Sequence, residues 1–282
     1  MSVRWLAEHA DNGDVSFRVG CDGDDVIAEW LGLARLVARR DGSASRLEIE
    51  AGADPRAVAK IERGSVRLLL RHLNGELALH GAAVALGSRA VVLLGRSGDG
   101  KSTLAAWLCM RRGAELLADD AIAIEEIGDN REPALGGQFV PRWAVLPAER
   151  DHWLDEAARA AVGLDAPGHA VTVPGKAPVA AARSGSGATA LHGFVALVFS
   201  DVPAPRWTRL RDVDAIAMLV PQAVRFVLDD PAAQRRELDR LAMLVETVPV
   251  YRLERSRDLA QLDATGALVD NLLLGHSKER LP

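Results

Sequence analysis

The chain has 282 residues, of which 49 % are hydrophobic and 26 % charged, and its formal net charge is −5. This composition is typical of a globular protein with a sizeable core, and the interspersed charges argue against nucleic acid as a partner. The two cysteines, Cys21 and Cys109, exclude a disulfide framework and a paired-cysteine metal site. Neither a signal peptide nor an apolar run of roughly 18 residues occurs, so we expect a cytoplasmic protein without a membrane partner.

Residues 1–74 are predicted to form a small N-terminal α/β domain. Apolar residues recur at helical spacing from Asp25 to Arg40, which predicts an amphipathic helix. The alternating stretch Arg46–Glu50 predicts an edge strand. Residues 63–74 predict a second helix, which ends at a turn formed by Asn74 and Gly75.

Residues 75–282 are predicted to form an α/β catalytic domain. Strands at Leu77–Leu86 and Ala90–Leu94 flank the tight turn Gly87–Ser88, which predicts a β-hairpin. The stretch from Gly128 to Ser186 is rich in Gly, Pro and Ala and predicts loops, including an active-site lid, with one helix at 150–163. The other predicted elements are a helix at Thr103–Arg112, strands at Glu115–Glu126, Phe194–Ser200 and Val250–Leu253, a helix after the cap Asp230–Pro231, and a helix at Asp258–Leu274.

The string LLGRSGDGKST, from Leu93 to Thr103, contains the pattern G-x-x-x-x-G-K-[ST] between a predicted strand and a predicted helix. Its glycines let backbone N–H groups converge on an anion, and the start of the helix adds the positive end of its dipole. Lys101 is expected to reach the β- and γ-phosphates of a nucleoside triphosphate, and the Ser102 hydroxyl to bind Mg²⁺. The predicted nucleotide-binding residues are Gly95, Arg96, Ser97, Gly98, Asp99, Gly100, Lys101, Ser102 and Thr103.

Three side chains outside this loop are candidates for the chemistry. Asp119 and Asp120 follow an apolar run, where a carboxylate near the triphosphate binds Mg²⁺ directly or through water. Because one carboxylate suffices for the metal, the second is a candidate base for an attacking hydroxyl. His80 lies on the strand predicted to pair with the strand before the glycine-rich loop, which brings its imidazole toward the triphosphate.

The segment from Leu79 to Ile124 resembles the catalytic core of the HPr kinase/phosphorylase family and of its shorter kinase homologues. The shared features are the His-Gly before the loop strand, the glycine-rich loop itself and the L-x-A-D-D string. The resemblance implies a fold akin to phosphoenolpyruvate carboxykinase and ATP-dependent phosphorylation of a protein serine. It also implies that Asp119 is the base, that His80 is its partner, and that Asp120 and Ser102 contact Mg²⁺. The spacing itself does not decide which aspartate has which role.

The chain departs from the bifunctional members of that family downstream of the two aspartates. Their second glycine-rich signature is replaced here by GGQFVPRWAVLP, so the resemblance does not extend to phosphorylase activity or to HPr as the substrate. The shorter homologues resemble kinases of lasso-peptide biosynthesis, which phosphorylate the C-terminal serine of a precursor peptide. The resemblance therefore implies a peptide or small protein with an acceptor serine as the partner, and a homo-oligomer.

Two alternative functions remain at this stage. The first is a regulatory or assembly protein that binds ATP as a switch, which needs a Mg²⁺ carboxylate but no additional base. The second is a small-molecule kinase on the same fold. Lys176 and Arg142 are further candidate phosphate-binding cations, and His152, His169 and His192 have no metal-ligand spacing.

Overall fold

The computed structural model describes residues 3–11, 14–128, 142–164, 176–224 and 230–275, and it has a mixed α/β fold, as predicted. The chain divides into two compact units. Unit 1 comprises residues 1–78 and 223–240, and unit 2 comprises residues 79–222 and 241–282. The predicted domain boundary at residue 74 stays a prediction.

Unit 1 contains a five-stranded antiparallel sheet in which consecutive strands are neighbours. Side chains on one face of the sheet are buried, including those of Val19, Ala28 and Leu36, which are direct cross-strand neighbours. The strands are β1 (Arg4–Asp11), β2 (Asp14–Asp22), β3 (Asp25–Trp30), β4 (Ala34–Arg39) and β5 (Ser45–Ile49).

The helix predicted from Asp25 to Arg40 is wrong, because this stretch forms the β3–β4 hairpin. Glycine at position 32 has a φ of 77°, a left-handed conformation that lets the chain reverse. Along β4, buried and half-buried side chains alternate with the period of two that a strand requires. In β3 three consecutive residues are buried, which breaks the alternation of a half-buried strand, and periodicity alone does not distinguish so short an apolar run from part of a helix.

The helical part of unit 1 begins after the sheet. Helices α1 (Pro55–Ile61) and α2 (Arg67–Leu73) are joined by a π-helical turn at Glu62–Val66. The helix predicted at 63–74 and its terminal turn are thus confirmed, and β5 confirms the predicted edge strand.

Unit 2 is built around a seven-stranded mixed sheet with the order β13-β14-β12-β7-β6-β8-β9. Strands β7, β12 and β14 are parallel to one another, and β6 forms the predicted hairpin with β7. The strands of this sheet are β6 (Leu77–Leu86, whose first two residues belong to unit 1), β7 (Arg89–Leu94), β8 (Glu115–Glu126), β9 (Trp143–Leu146), β12 (Thr189–Phe199), β13 (Arg206–Leu210) and β14 (Val250–Arg255). The separate strands β10 (Asp151–Leu154) and β11 (Ala177–Ala180) pair with each other.

Helix α3 (Lys101–Arg112) packs against this sheet and against a later helix at Leu262–Leu273. Their contact is close, because a Cβ atom at Gly266 would lie 2.1 Å from the ring of Trp107. The helix at Leu262–Leu273 is α7, and the other α-helices in the described ranges are α4 (Glu156–Val162), α5 (Asp212–Leu219) and α6 (Pro231–Thr247, which continues from unit 1 into unit 2). None of the helices in the described ranges combines the length and apolar composition needed to cross a membrane.

The region predicted as loops from Gly128 to Ser186 contains regular structure where it is described. The predicted helix at 150–163 is confirmed by α4 for its second half, whereas β10 occupies its first half. Residues 129–141 and 165–175, with His169 and part of the GGQFVPRWAVLP string, lie outside the described residues. The Asp230 cap is confirmed, since its Oδ1 accepts hydrogen bonds from the backbone N–H groups of Ala232 and Ala233.

Candidate active site

The glycine-rich loop, residues 95–100, connects the end of β7 to the start of α3. β7 lies beside β12 and is parallel to it, so the loop follows the carboxyl end of a parallel strand. Ligands of open α/β sheets bind at these ends, where helix N-termini also point. The predicted order of strand, loop and helix is present.

Three glycines of this loop have backbone conformations that other residues rarely adopt. The φ angles are 147° at Gly95, 87° at Gly98 and 80° at Gly100. A Cβ atom at Gly100 would also lie 2.3 Å from Nη2 of Arg255, so that guanidinium would have to shift. The loop therefore requires glycine for its shape as well as for backbone access to a ligand.

Lys101 lies folded against the loop and is only 8 % exposed. Its Nζ donates hydrogen bonds to the carbonyl oxygens of Gly95, at 2.8 Å, and of Arg96, at 3.0 Å. Burial lowers the pKa of the ammonium group, and the negative charges of Asp120 and Asp99 oppose this shift. The side chain thus places a desolvated cation inside the curve of the loop.

Arg255, which the sequence analysis missed, supports the loop from the end of β14. Its Nη2 donates to the carbonyl oxygen of Asp99 at 2.6 Å, and its guanidinium carbon lies 4.6 Å from the centre of the Phe199 ring. The Asp99 carboxylate in turn accepts from the backbone N–H of Arg96 at 2.6 Å. The only available signal for Arg255 was a cation two residues after the predicted strand Val250–Leu253.

Asp119 is buried against α3 and is only 2 % exposed. Its Oδ1 accepts a 2.7 Å hydrogen bond from the Ser102 hydroxyl, and its Oδ2 accepts one from the backbone N–H of Trp153 at 3.0 Å. The backbone N–H of Asp119 donates to Glu149. No sequence pattern predicts that Glu149 and Trp153 contact Asp119. These contacts arise because the chain after β9 returns to β8.

Burial raises the pKa of the Asp119 carboxyl to about 6. The hydrogen bonds from Trp153 and Ser102 lower this pKa, and the charge of Asp120 raises it further. Near neutral pH the carboxylate is therefore ionised but close to its titration range, in a site that favours a nearby cation.

His80 contacts Asp120, whereas the family resemblance implies Asp119 as its partner. The His80 Nδ1 lies 3.1 Å from Oδ1 of Asp120, and both side chains are solvent-accessible. Neighbouring residues of a strand point to opposite faces, so β8 directs Asp119 into the protein and Asp120 outward. Asp120 has a φ of 120°, a conformation rare for a residue with a side chain and one that clusters at functional sites.

The other candidate side chains lie in different environments. The positive charge of Lys176 is close enough to favour lower pKa values at Lys101 and Asp119. Arg142 instead pairs with Glu126, the last residue of β8, at 2.7 Å. His152 is buried, and burial lowers its pKa to about 4, so the ring is neutral near pH 7.

The oxygen atoms of this site suit a Mg²⁺ ion that arrives with a nucleotide. Ser102 and Asp119 supply hard oxygen donors next to the loop. Within the described ranges, no group of three or more His, Cys, Asp or Glu side chains is placed to hold a metal ion alone. Mg²⁺ usually takes one or two protein oxygens and completes its shell with water and substrate phosphates, so these residues fit it.

The raised pKa of Asp119 predicts a stability effect of the substitution Asp119→Asn. Because the folded protein binds the Asp119 proton more tightly than the unfolded chain, the contribution of Asp119 to the free energy of unfolding falls as the pH rises from about 4 to about 6. Without nucleotide or metal, Asp119→Asn should therefore be more stable than wild type at pH 8, by up to about 3 kcal/mol, with a small difference at pH 4.

Thermal unfolding in a chelator at both pH values measures this difference. Asp120→Asn is the matched control, because an exposed carboxylate loses little when its charge is removed. A wild-type protein as stable as Asp119→Asn at pH 8 would contradict the raised pKa.

Comparisons with known proteins give structural likenesses but no match to a family model or to a curated sequence. Among solved structures the chain is similar to the Hpr(Ser) kinase/phosphatase from Coxiella burnetii, with 14 % sequence identity and a TM-score of 0.35, over 71 % of this chain and 97 % of that chain. At this TM-score the likeness does not define a function.

Proposed function

We propose that the protein is an ATP-dependent, Mg²⁺-requiring kinase that phosphorylates a serine hydroxyl of a peptide or small protein. The observation that carries this proposal is the separation of two adjacent carboxylates. Asp119 faces Ser102 at the start of α3, whereas Asp120 faces His80 on β6. A protein that only binds ATP as a switch needs the first pair but not the second.

The loop and Lys101 bind the triphosphate in this proposal. Backbone N–H groups of residues 95–100 and the N-terminus of α3 surround its phosphates, and Lys101 exchanges its loop carbonyl partners for phosphate oxygens. Arg255 holds the loop backbone at Asp99 during this exchange. Ser102 and Asp119 would hold Mg²⁺, which neutralises charge on the β- and γ-phosphates when it is bound.

Asp120 is the base in this proposal, which exchanges the roles of the two aspartates relative to the resemblance. The acceptor oxygen forms a bond to the γ-phosphorus, the bond from that phosphorus to the β-phosphate bridging oxygen breaks, and ADP leaves. Asp120 takes the proton of the acceptor hydroxyl, while His80 orients the carboxylate from 3.1 Å. The strained backbone at Asp120 fixes the direction in which its carboxylate points.

The acceptor class is supported by the resemblance to shorter serine kinases. An exposed base accommodates an acceptor on a polypeptide, and the C-terminal serine of a lasso-peptide precursor is the most specific form of this proposal. The same base would also serve the hydroxyl of a small molecule, which is the second candidate acceptor.

Incubation of the purified full chain with peptide pools and Mg²⁺ plus ATP or GTP tests the proposal. Mass spectrometry should detect a phosphate on serine-containing peptides, and fragmentation should locate it. ATP binding with neither peptide phosphorylation nor transfer to a panel of small alcohols would contradict the kinase and favour the switch.

His80→Ala should lower the transfer rate by about 10² or more, with the nucleotide Kd nearly unchanged. The reason is that the imidazole contacts Asp120 rather than the residues proposed to hold the phosphates. His192→Ala is the matched control, because that imidazole bonds to the Ala190 carbonyl oxygen within its own strand. If both variants keep full specific activity per folded molecule, His80 has no role in transfer.

A further inference from the structure

The sheet of unit 1 has two outer strands, and only one of them has a regular edge. In β1 the pairing with β2 shifts register twice, between Trp5 and Ala7 and between His9 and Ala10. Such irregularities disrupt an edge for further pairing. β5 pairs with β4 without a register shift, so its edge is the one able to accept another strand.

The backbone of β5 alternates between groups that face β4 and groups that face away. At its two ends, Glu50 donates to the Leu33 carbonyl oxygen and Arg39 donates to that of Ala44, at 2.9 and 2.8 Å. Because hydrogen-bonded pairs recur at every second residue of an antiparallel ladder, the even-numbered residues face β4. The residues whose N–H and C=O groups point away from the sheet are Ser45, Leu47 and Ile49.

Charged side chains alternate in sign across one face of the same sheet. Arg18 on β2 pairs with Glu29 on β3 at 2.6 Å, and Arg35 on β4 pairs with the same carboxylate at 3.4 Å. Glu48 on β5 lies directly opposite Arg35 and is contacted within its own strand by Arg46. This alternation of charges ends on the Glu48 carboxylate at the outer edge of the sheet. A cation on a further strand beside β5 would therefore be favourable.

We propose that β5 is a homodimer interface, in which two copies of the chain pair this strand antiparallel about a two-fold axis at Leu47. In this register Arg46 lies opposite Glu48 of the second copy, and Glu48 lies opposite its Arg46. Ser45 lies opposite Ile49 of the second copy. The strand is thus complementary to itself in charge, as a two-fold interface requires.

The hydrogen-bond pattern agrees with the same register. The two copies of Leu47 exchange both of their outward backbone hydrogen bonds, and Ser45 and Ile49 continue the ladder on either side. Arg46 and Glu48 then form non-hydrogen-bonded pairs, in which side chains are closest. The adjacent two-fold registers place Arg46 opposite itself or Glu48 opposite itself, which is unfavourable.

The dimer should be weak and dependent on concentration. Pairing of five residues a side buries less than the roughly 1,200–2,000 Å² of a stable interface. Ile49, whose surface is 58 % exposed, adds apolar contact at the edge. The interface is independent of the proposed kinase activity.

Sedimentation velocity of the full chain over a wide concentration range tests the interface. Wild type should convert from monomer to dimer, and Arg46→Glu or Glu48→Arg should each weaken dimerisation at least tenfold by opposing like charges. An equimolar mixture of these two variants should form a heterodimer, because their charges are complementary. The double variant Arg46→Glu/Glu48→Arg should recover homodimers.

Glu8→Arg is the matched control. It reverses a charge on β1, at the opposite edge, and places an arginine opposite Arg18 just as Glu48→Arg places one opposite Arg35. It should dimerise like wild type. Circular dichroism identifies any variant that fails to fold. Ser45→Pro is then used in place of that variant, because proline removes one of the outward N–H groups proposed to pair with the second copy. A wild type that stays monomeric, or single reversals that dimerise normally, would overturn the proposal.

Discussion

Asp120→Asn should lower phosphoryl transfer by about 10² to 10⁴, the usual contribution of a general base, while the nucleotide Kd changes only a few-fold. The physical reason is that Asp120 contacts His80 rather than Ser102 or the loop, and its side chain is exposed to an incoming acceptor. Asparagine keeps the size of the side chain but cannot take a proton at neutral pH. Single-turnover transfer and equilibrium nucleotide binding measure the two quantities separately.

Asp119→Asn is the contrasting variant. Its carboxylate contacts Ser102, so this substitution should weaken Mg²⁺-dependent nucleotide binding and raise the Mg²⁺ concentration needed for activity. A double variant of His80 and Asp120 should lose little more than Asp120→Asn alone, because residues that act as a unit are not additive. If Asp119→Asn instead shows the rate defect with normal metal dependence, the roles of the two aspartates are those implied by the resemblance.

The sequence was sufficient to predict the strands and the helix around the glycine-rich loop. The hairpin of β6 and β7 and the full extent of β8 were predicted because apolar β-forming runs are bounded there by glycine turns. The Asp25–Arg40 stretch was mispredicted because its apolar positions fit both periods, and only pairing with β2 decides for the strand.

The residues of the site could be predicted from the sequence only where a local motif requires one residue type at a fixed position. The loop glycines, Lys101 and Ser102 belong to a local motif, whereas Arg255 reaches the loop from 156 residues away through the order of the sheet. Strand alternation could have shown that Asp119 and Asp120 point to opposite faces, and hence have different partners. The backbone N–H of Trp153 could not have been found, because every residue other than proline offers that donor.

Lys101→Met should reduce transfer more than any other single substitution considered, to below detection in a standard assay, and should weaken triphosphate binding. The ammonium group lies inside the curve of the loop, against the Gly95 and Arg96 carbonyl oxygens at 2.8 and 3.0 Å. Methionine keeps the length of the apolar stem but supplies neither the charge nor the donors that the β- and γ-phosphates need.

The stability of this variant separates a lost charge from a lost fold. Burial already lowers the pKa of Lys101, so its charge is held at a desolvation cost and methionine should not lower the melting temperature of the nucleotide-free protein by much. Lys60→Met, on α1 in unit 1, is the matched control and should leave transfer unchanged. Titration with ATP and with ADP should show a larger loss of affinity for ATP, because the proposed role of Lys101 includes a contact with the γ-phosphate, which ADP lacks. Equal losses for both nucleotides, or turnover near that of wild type, would show that Lys101 does not bind the transferred phosphate.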